Sequence, residues 1–233
     1  MKKITFATDN KYLLDFPELY PQPARNFIPQ WYKDMPIDAV NTRFHYIPKK
    51  MNVGKTVKTC PSFMEIFNEG FVMVAPCDIW IRVEDSGEWE WKTASNGFEL
   101  QEHGNFQMVD GLPGKPVKQI LKFINPWHIF APKGYSTRQL PLMHHYNPDW
   151  YVPYGVLKAD VHHEAHQQIF VTSDDNEIVI KRGEPLNYIV PYKREKFVMK
   201  IDDANKPKYM DKIQSGKLYV SSSFRSNYHR HKD

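Results

Sequence analysis

Proline is the residue that most restricts what this chain can fold into. The 233 residues include 18 prolines, which recur along the sequence, whereas glycines number only 11. Each proline fixes its own backbone φ angle and removes a hydrogen-bond donor, which argues against long helices. Aromatic residues make up 14% of the chain, and aromatic and β-branched residues favour strands. We therefore expect a mainly β protein with short helices.

The clearest strand pattern lies in residues 154–191. Apolar residues alternate through Val179, turn chemistry falls at residues 181–184, and an apolar run follows from Leu186 to Val190. A second alternating pattern covers residues 77–83, where every other residue is apolar. We expect these stretches to form strands of one core.

Turn and capping signals complete the local reading. An Asp-Ser-Gly-Glu sequence at residues 85–88 predicts a hairpin turn into a strand at residues 89–93. Residues 29–34 begin with proline, which suits the first position of a short helix. In residues 62–68 a serine stands three residues before a glutamate, the spacing of a capping box, and Gly70 can end that helix.

We expect three segments. Residues 1–60 are an irregular, aromatic and proline-rich arm packed on the core, residues 61–200 are the β domain, and residues 201–233 are a basic tail. From Lys206 to Asp233 the chain has seven Lys and Arg against two Asp, a net of +5, compared with +4 for the whole chain. Such a tail could bind nucleic acid through its phosphates, or remain a solvated end.

Cysteine use and hydropathy point to an intracellular protein. The two cysteines, Cys60 and Cys77, form no CxxC pair, which favours reduced thiols over a disulfide framework. No apolar run approaches the ~18 residues of a membrane span. We expect a cytoplasmic protein with no membrane partner.

A dense histidine group suggests a metal site. On a strand, side chains two residues apart share a face, which would place His162, Glu164 and His166 together. Two imidazoles and a carboxylate could hold a divalent metal such as iron or zinc, as in a cupin-like β-sandwich enzyme. Same-face residues are ~6.5–7 Å apart, so His162 and Glu164 would need a remote partner. Three histidines are candidates for it: His144, His145 and His229. The alternative is a polar, partly exposed strand face.

Three stretches of the chain resemble the superfamily of trimeric dUTPases and dCTP deaminases. Residues 75–79 (APCDI) are similar to its first motif, and residues 132–141 to the run that leads into its Pro-Arg-Ser motif. Residues 154–160, followed by residues 182–186, are similar to its third motif and the turn after it. The resemblance covers roughly residues 71–192. It implies a dUTPase-like β-clip barrel or sandwich that is often a homotrimer.

The same comparison implies that hydrolysis is lost. The superfamily's water-activating Asp falls on Lys158, and an ammonium cannot act as a general base while protonated. Its deoxyribose-contacting Tyr falls on Val161, and its phosphate-binding Arg-Ser pair falls on Leu142 and Met143, which offer no donor. We therefore expect a module that binds a nucleotide-like ligand or a host protein, without catalysis. Its expected ligand-binding residues are Asp78, Arg138, Lys158 and Asp160.

Two further interpretations remain open at this stage. Asp78 could instead cap a turn, and Lys158 could simply be solvated. The whole chain also resembles a family of uncharacterised phage-encoded proteins through residues 27–32 and 125–127, which implies a viral origin and a location in the host cytoplasm. Such a protein could also be a phage structural or host-takeover protein that acts through its aromatic arm and basic tail.

Overall fold

The computed structural model describes residues 2–37, 56–95, 97–103 and 117–218, and only the backbone of residues 215–218. Parts of the predicted arm and tail, and His229, therefore lie outside the described residues.

The chain divides into two compact units. The first contains residues 1–34 and 66–194, and the second contains residues 35–65 and 195–233. The boundaries expected from the sequence were at residues 60 and 200 instead. Residues 1–34 thus belong to the same unit as the strands.

Short strands are the main regular secondary structure of the first unit, which confirms the prediction of a mainly β protein. The described residues contain fourteen strands: β1 (Thr5–Ala7), β2 (Gln22–Pro23), β3 (Phe71–Val74), β4 (Ile79–Val83), β5 (Trp89–Thr93), β6 (Leu100–Glu102), β7 (Gln119–Phe123), β8 (His128–Phe130), β9 (Tyr135–Leu140), β10 (Trp150–Tyr151), β11 (Gly155–Leu157), β12 (Gln167–Val171), β13 (Glu177–Ile180) and β14 (Pro185–Lys193).

Most of the helices are a single turn long. The described α-helices are α1 (Lys11–Leu14), α2 (Gln30–Asp34), α3 (Pro61–Met64) and α4 (Pro207–Leu218). Four 3-10 turns accompany them: Pro17–Leu19, Ala24–Phe27, Val57–Thr59 and Glu65–Asn68. None of these described helices has the length and apolar character needed to cross a lipid bilayer.

The described strands pair in four antiparallel sheets. The largest has the order β11-β9-β14-β3-β2, and the others are β10-β12-β7-β6, β13-β4-β5 and β1-β8. Strand β14 is the centre of the largest sheet, because it pairs with both β9 and β3. Its residues from Leu186 to Val190 are all buried. The core therefore forms around β14, and the sheet ends with β11 at one edge.

The β4–β5 hairpin shows why the local predictions succeeded. Burial alternates along β4 as the apolar pattern predicted, with Ile79, Ile81 and Val83 inside. Glu84 N donates to the carbonyl of Glu88 at 2.8 Å, which closes the hairpin. Gly87 has φ of +87°, a left-handed conformation that glycine adopts without steric cost.

The helix predictions were partly correct. Helix α2 forms as expected, and Tyr32 N donates to the carbonyl of Pro29 at 3.1 Å. The capping box was wrong, because α3 begins at Pro61 and its preceding residue, Cys60, makes no side-chain capping bond. Proline at the first helical position takes the place of that cap, since its missing N–H needs no partner there.

In the second unit, Asp202 organises the start of α4. Its side chain is 10% exposed and accepts hydrogen bonds from Lys206 and Tyr209. Lys200 and Lys208 lie 3.6 Å and 3.4 Å from the same carboxylate. The hydrogen bond from Lys206 is the main reason that the pKa of Asp202 is lowered. Residues 195–201, which precede this cluster, contain no helix, turn or bend.

Candidate functional site

The loop between β9 and β10, residues 141–149, has an unusual backbone. His144 (φ 65°) and Tyr146 (φ 53°) are the two non-glycine residues with positive φ within the described part of the chain. This left-handed conformation costs about 1–2 kcal/mol for each such residue. Strain of this kind persists only where surrounding structure holds it, and it concentrates at functional sites.

The N-terminal segment holds this loop in place. The indole N–H of Trp31 donates to the carbonyl of His144 at 2.7 Å, and the Trp31 ring lies 5.8 Å from the ring of Tyr146. The Nε2 atom of His145 lies 3.0 Å from the carbonyl oxygen of Phe27. Because a carbonyl only accepts, His145 carries its hydrogen on Nε2. Contacts more than 100 residues apart in sequence therefore fix the loop.

A cavity of about 300 Å³ lies beneath this loop. That volume is at the lower end of the range for small-molecule sites. The lining is mainly apolar and aromatic, with a few polar groups, and it consists of Pro141, Leu142, Met143, His144, Tyr146, Asn147, Trp150, Tyr151, Val152 and Leu186. A cavity with this lining suits a small ligand with a planar, apolar body.

The cavity is electrically neutral. Its ten described lining residues include no Lys, Arg, Asp or Glu. Burial lowers the pKa of His144 below its ordinary value, so this imidazole is uncharged at neutral pH. Burial also raises the pKa of Tyr151, which keeps its hydroxyl protonated. The site can thus offer hydrogen bonds but no counter-charge to an ionic ligand.

A second cavity, of about 560 Å³, lies beside β5 and has a different character. Its lining includes one ammonium and one carboxylate, Lys92 and Glu99, and it is about equally polar and apolar. Its described backbone has no positive φ except at Gly97. The described residues around this second cavity thus lack the strained backbone that distinguishes the 141–149 loop.

Asp160, a predicted ligand residue, is instead bound within the chain. Its side chain is 6% exposed and receives two hydrogen bonds from the guanidinium of Arg194, at 2.8 Å and 2.5 Å. Gly134 N donates to it at 2.8 Å. Arg194 is the main cause of a pKa for Asp160 far below its usual range. Arg194 also donates to the carbonyl of Tyr135 and to Ser136 Oγ, so the pair joins β9, β14 and the turn after β11.

Asp78 binds the turn between β13 and β14. Its Oδ1 accepts a hydrogen bond from Arg182 N at 2.7 Å, and Lys181 Nζ lies 3.3 Å from its Oδ2. The backbone bond is the larger cause of the lowered pKa of Asp78. The turn predicted at residues 181–184 is confirmed by the 2.9 Å bond from Glu184 N to the carbonyl of Lys181. Asp78 thus has the turn-capping role that was the alternative to ligand binding.

The other two predicted ligand residues lie on β9, the strand next to the edge, and directly after the edge strand β11. Arg138, on β9, is exposed and its guanidinium lies 4.5 Å from the ring centre of Tyr192. Lys158 is exposed directly after β11, in the same turn as Asp160. The structure therefore places Arg138, Lys158 and Asp160 on neighbouring strands and turns, and Asp78 against a different turn. None of the four lines the 141–152 cavity.

The strand expected through the histidine group was wrong. Strand β11 ends at Leu157 and β12 begins at Gln167, so residues 162–166 lie in the connection between them. Only one isolated antiparallel bridge, between His128 and Glu164, is assigned there. The side chains of Glu164 and His166 are nevertheless in contact, whereas His162 is exposed.

Two of the three histidines of this connection, His163 and His166, have structural partners. His163 Nδ1 lies 3.0 Å from the carbonyl of Ile129, and His163 stacks on Phe130 with ring centres 4.2 Å apart. His166 Nδ1 accepts from Asn125 N at 3.2 Å, and its Nε2 lies 3.3 Å from Glu164. Across the described residues, no three His, Cys, Asp or Glu side chains come together to hold a metal ion.

Burial affects the charge of His166. Loss of hydration is the main cause that lowers the pKa of His166, although nearby Glu164 acts in the opposite direction. The neutral ring, with its hydrogen on Nε2, satisfies both Asn125 N and the Glu164 carboxylate. This part of the predicted metal set serves the fold.

The sequence analysis missed Arg194 and most of the cavity. Arg194 has little signal in the sequence, since it is one of several basic residues after an apolar strand. The cavity has a better signal, because residues 141–153 combine three prolines, three aromatic residues and two histidines without helix or strand periodicity. Neither a scan of the sequence against protein-family models nor a search of the curated proteins finds a match for this chain.

Proposed function

We propose that this protein is a non-hydrolytic, dUTPase-like β-clip module, and that the cavity beneath residues 141–149 binds an uncharged planar ligand of nucleoside size. The observation that carries the proposal is a neutral, aromatic cavity under a loop held in a strained conformation. A strained loop with long-range supports is pre-organised, which lowers the entropy lost when a ligand binds.

The absence of charge in the lining favours a nucleoside over a nucleotide. Leu142 and Met143 line the cavity at the positions where the resemblance places a phosphate-binding Arg-Ser pair. A phosphate that entered would lose its hydration without gaining a cationic partner, which is strongly unfavourable. Asn147 and Tyr151 can supply the few directional hydrogen bonds that a neutral heterocycle needs.

Hydrolysis receives no support from Lys158, which stands at the position of the superfamily's water-activating Asp, or from the neighbouring carboxylate of Asp160. Asp160 has three hydrogen bonds from Arg194 and Gly134, and a carboxylate of such low pKa is a poor proton acceptor. Lys158 is exposed and outside the cavity. The cupin-like alternative gains no support from the described residues, where no three His, Cys, Asp or Glu side chains are placed to hold a metal ion, and His229 lies outside them.

Isothermal titration calorimetry with 2′-deoxyuridine, dUMP and dUTP tests the proposal. We expect the nucleoside to bind, and dUMP to bind at least about tenfold more weakly, equivalent to 1.4 kcal/mol. Met143 is only partly buried, so Met143→Trp should fill the cavity without unfolding the protein and abolish binding. Leu14→Trp is the matched control, because Leu14 is 50% exposed and does not line the cavity. Equal binding by Met143→Trp and the wild type, or tighter binding of dUTP than of the nucleoside, would overturn the assignment.

A further inference from the structure

Positive charge is concentrated on the β11 side of the largest sheet. Strands β11, β9 and β14 are consecutive there, and with the residues beside them they include residues 133–140, 154–160 and 188–194. These three stretches contain five Lys and Arg against one Asp, a net of +4, which equals the net charge of the whole chain. A local excess of this kind attracts polyanions.

Arg138 lies on the solvent side of this part of the sheet. It is opposite Val156 of β11 and Val190 of β14, and directly opposed residues of antiparallel strands share a face. Val156 is 56% exposed, and Arg138 is also exposed. The Arg138 guanidinium lies 4.5 Å from the ring centre of Tyr192, and this contact orients it. The guanidinium is thus held in place and accessible to a ligand.

Two lysines extend the positive charge beyond the strands. Lys133 and Lys158 are exposed, and each lies in a turn that contacts Asp160. Gly134 N donates to Asp160 at 2.8 Å, which joins the turn of Lys133 to the turn of Lys158. Asp160 itself is paired with Arg194. Together with the guanidinium described above, the lysines give three exposed cations on adjacent elements of the sheet.

The same region offers surfaces for stacking. Tyr154, directly before β11, is 62% exposed, and Tyr192 supports the Arg138 guanidinium. Aromatic rings and guanidinium planes stack on unpaired bases, whereas the bases of a duplex are already stacked on one another. An acidic protein segment would pair with the cations but leave the stacking surfaces unused. We name this region the basic surface, which consists of Lys133, Arg138, Tyr154 and Lys158.

We propose that the basic surface binds single-stranded nucleic acid. Its cations contact phosphates, and Tyr154 and the Arg138 guanidinium stack on bases, a combination that binds single strands with little sequence preference. The inference does not depend on the ligand proposed for the cavity, because none of these residues lines it. It is also distinct from nucleic-acid binding by the basic tail, since the basic surface belongs to the first unit.

A charge-matched pair of variants separates the basic surface from general electrostatic attraction. Arg138→Gln/Lys158→Gln removes one Arg and one Lys from it. Lys11→Gln/Arg25→Gln removes the same two charges elsewhere, because Lys11 begins α1 and Arg25 follows β2 at the opposite edge of the sheet. All four residues are exposed, so the substitutions should leave the fold intact, which circular dichroism checks.

Fluorescence anisotropy of the full-length protein with a fluorescein-labelled oligo(dT) gives the readout, from about 50 to 200 mM KCl. Arg138→Gln/Lys158→Gln should weaken binding on the order of tenfold and reduce the salt slope, log K against log[KCl], by about 1.4, or about 0.7 for each lost phosphate contact. Lys11→Gln/Arg25→Gln should bind like the wild type. Tyr154→Ala should weaken binding at least about fivefold without changing the salt slope, because it removes stacking and no charge.

Several results would overturn the proposal. One is a wild type that does not bind oligo(dT) at about 50 mM KCl. Another is a control variant that loses as much affinity as Arg138→Gln/Lys158→Gln, or a salt slope that this variant leaves unchanged. Displacement of oligo(dT) by duplex DNA or by poly-glutamate at equal charge concentration would show a general anion surface instead of a single-strand site.

Discussion

The substitution Gly70→Ala tests how closely β14 packs against the chain that precedes β3. Gly70 has φ of +70°, and a Cβ atom there would lie 2.3 Å from the carbonyl oxygen of Ile189 and 3.0 Å from Cα of Val190. Both are backbone atoms of β14, so no side-chain rotation relieves the overlap. The strand itself must move.

The expected destabilisation has two parts. The left-handed backbone conformation destabilises the folded state by about 1–2 kcal/mol when the residue is alanine. Alanine also lowers the entropy of the unfolded chain, which offsets about 0.4–1 kcal/mol of that loss. Overpacking typically adds about 1–3 kcal/mol. We therefore expect Gly70→Ala to lower the free energy of unfolding by about 3 kcal/mol. In a domain of this size that corresponds to roughly 9 °C in melting temperature.

Gly87→Ala is the matched control for backbone strain alone. Gly87 has φ of +87°, but a Cβ atom there would meet nothing within 4 Å. Its expected loss is about 1 kcal/mol, from the left-handed conformation alone. Urea unfolding followed by tryptophan fluorescence measures both variants, with unchanged m-values as the check on two-state behaviour. If the two variants lose the same free energy of unfolding to within about 0.5 kcal/mol, the close contact between Gly70 and β14 does not constrain the sheet.

Two further predictions concern Asp160 and Tyr146. Because the folded-state pKa of Asp160 is depressed, its stabilisation is complete above the ordinary pKa of about 3.9 and is lost as pH falls towards the folded value. The urea midpoints of the wild type and Asp160→Asn should therefore converge as pH falls below about 4, whereas a constant gap would contradict the ion pair. Tyr146→Gly should change the free energy of unfolding by less than about 1 kcal/mol, because relief of left-handed strain offsets the entropy of glycine. The same variant should weaken deoxyuridine binding in calorimetry, while Tyr154→Gly, at a residue without positive φ, should leave binding unchanged.

Local signals predicted the parts of the fold whose partners are close in sequence. The β4–β5 hairpin needs only an alternating strand and a turn with Gly87, and both are visible in the sequence. The turn at residues 181–184 was predicted in the same way. In each case the residues that decide the structure lie within a few positions of one another.

The histidine segment shows why the same reasoning failed elsewhere. His166 bonds to Asn125 N, 41 residues away, and His163 to the carbonyl of Ile129, 34 residues away. Ile129 is in β8 and Asn125 lies between β7 and β8, and the segment held against them forms one isolated bridge but no regular strand. A pattern of alternating residues contains no information on such contacts. The loop above the cavity is a similar case, since Trp31 and His144 are 113 positions apart.

The bond between Asp160 and Arg194 bears on the choice of ligand site. A carboxylate has about four acceptor sites, and three hydrogen bonds from the chain leave Asp160 little capacity for a ligand. We therefore propose the neutral cavity as the ligand site, and the set around Asp160 stays a prediction. The same bond fixes the end of β14, because Arg194 is held to Tyr135 and Ser136 as well. Asp160 thus has a structural role where β9, β14 and the turn after β11 meet.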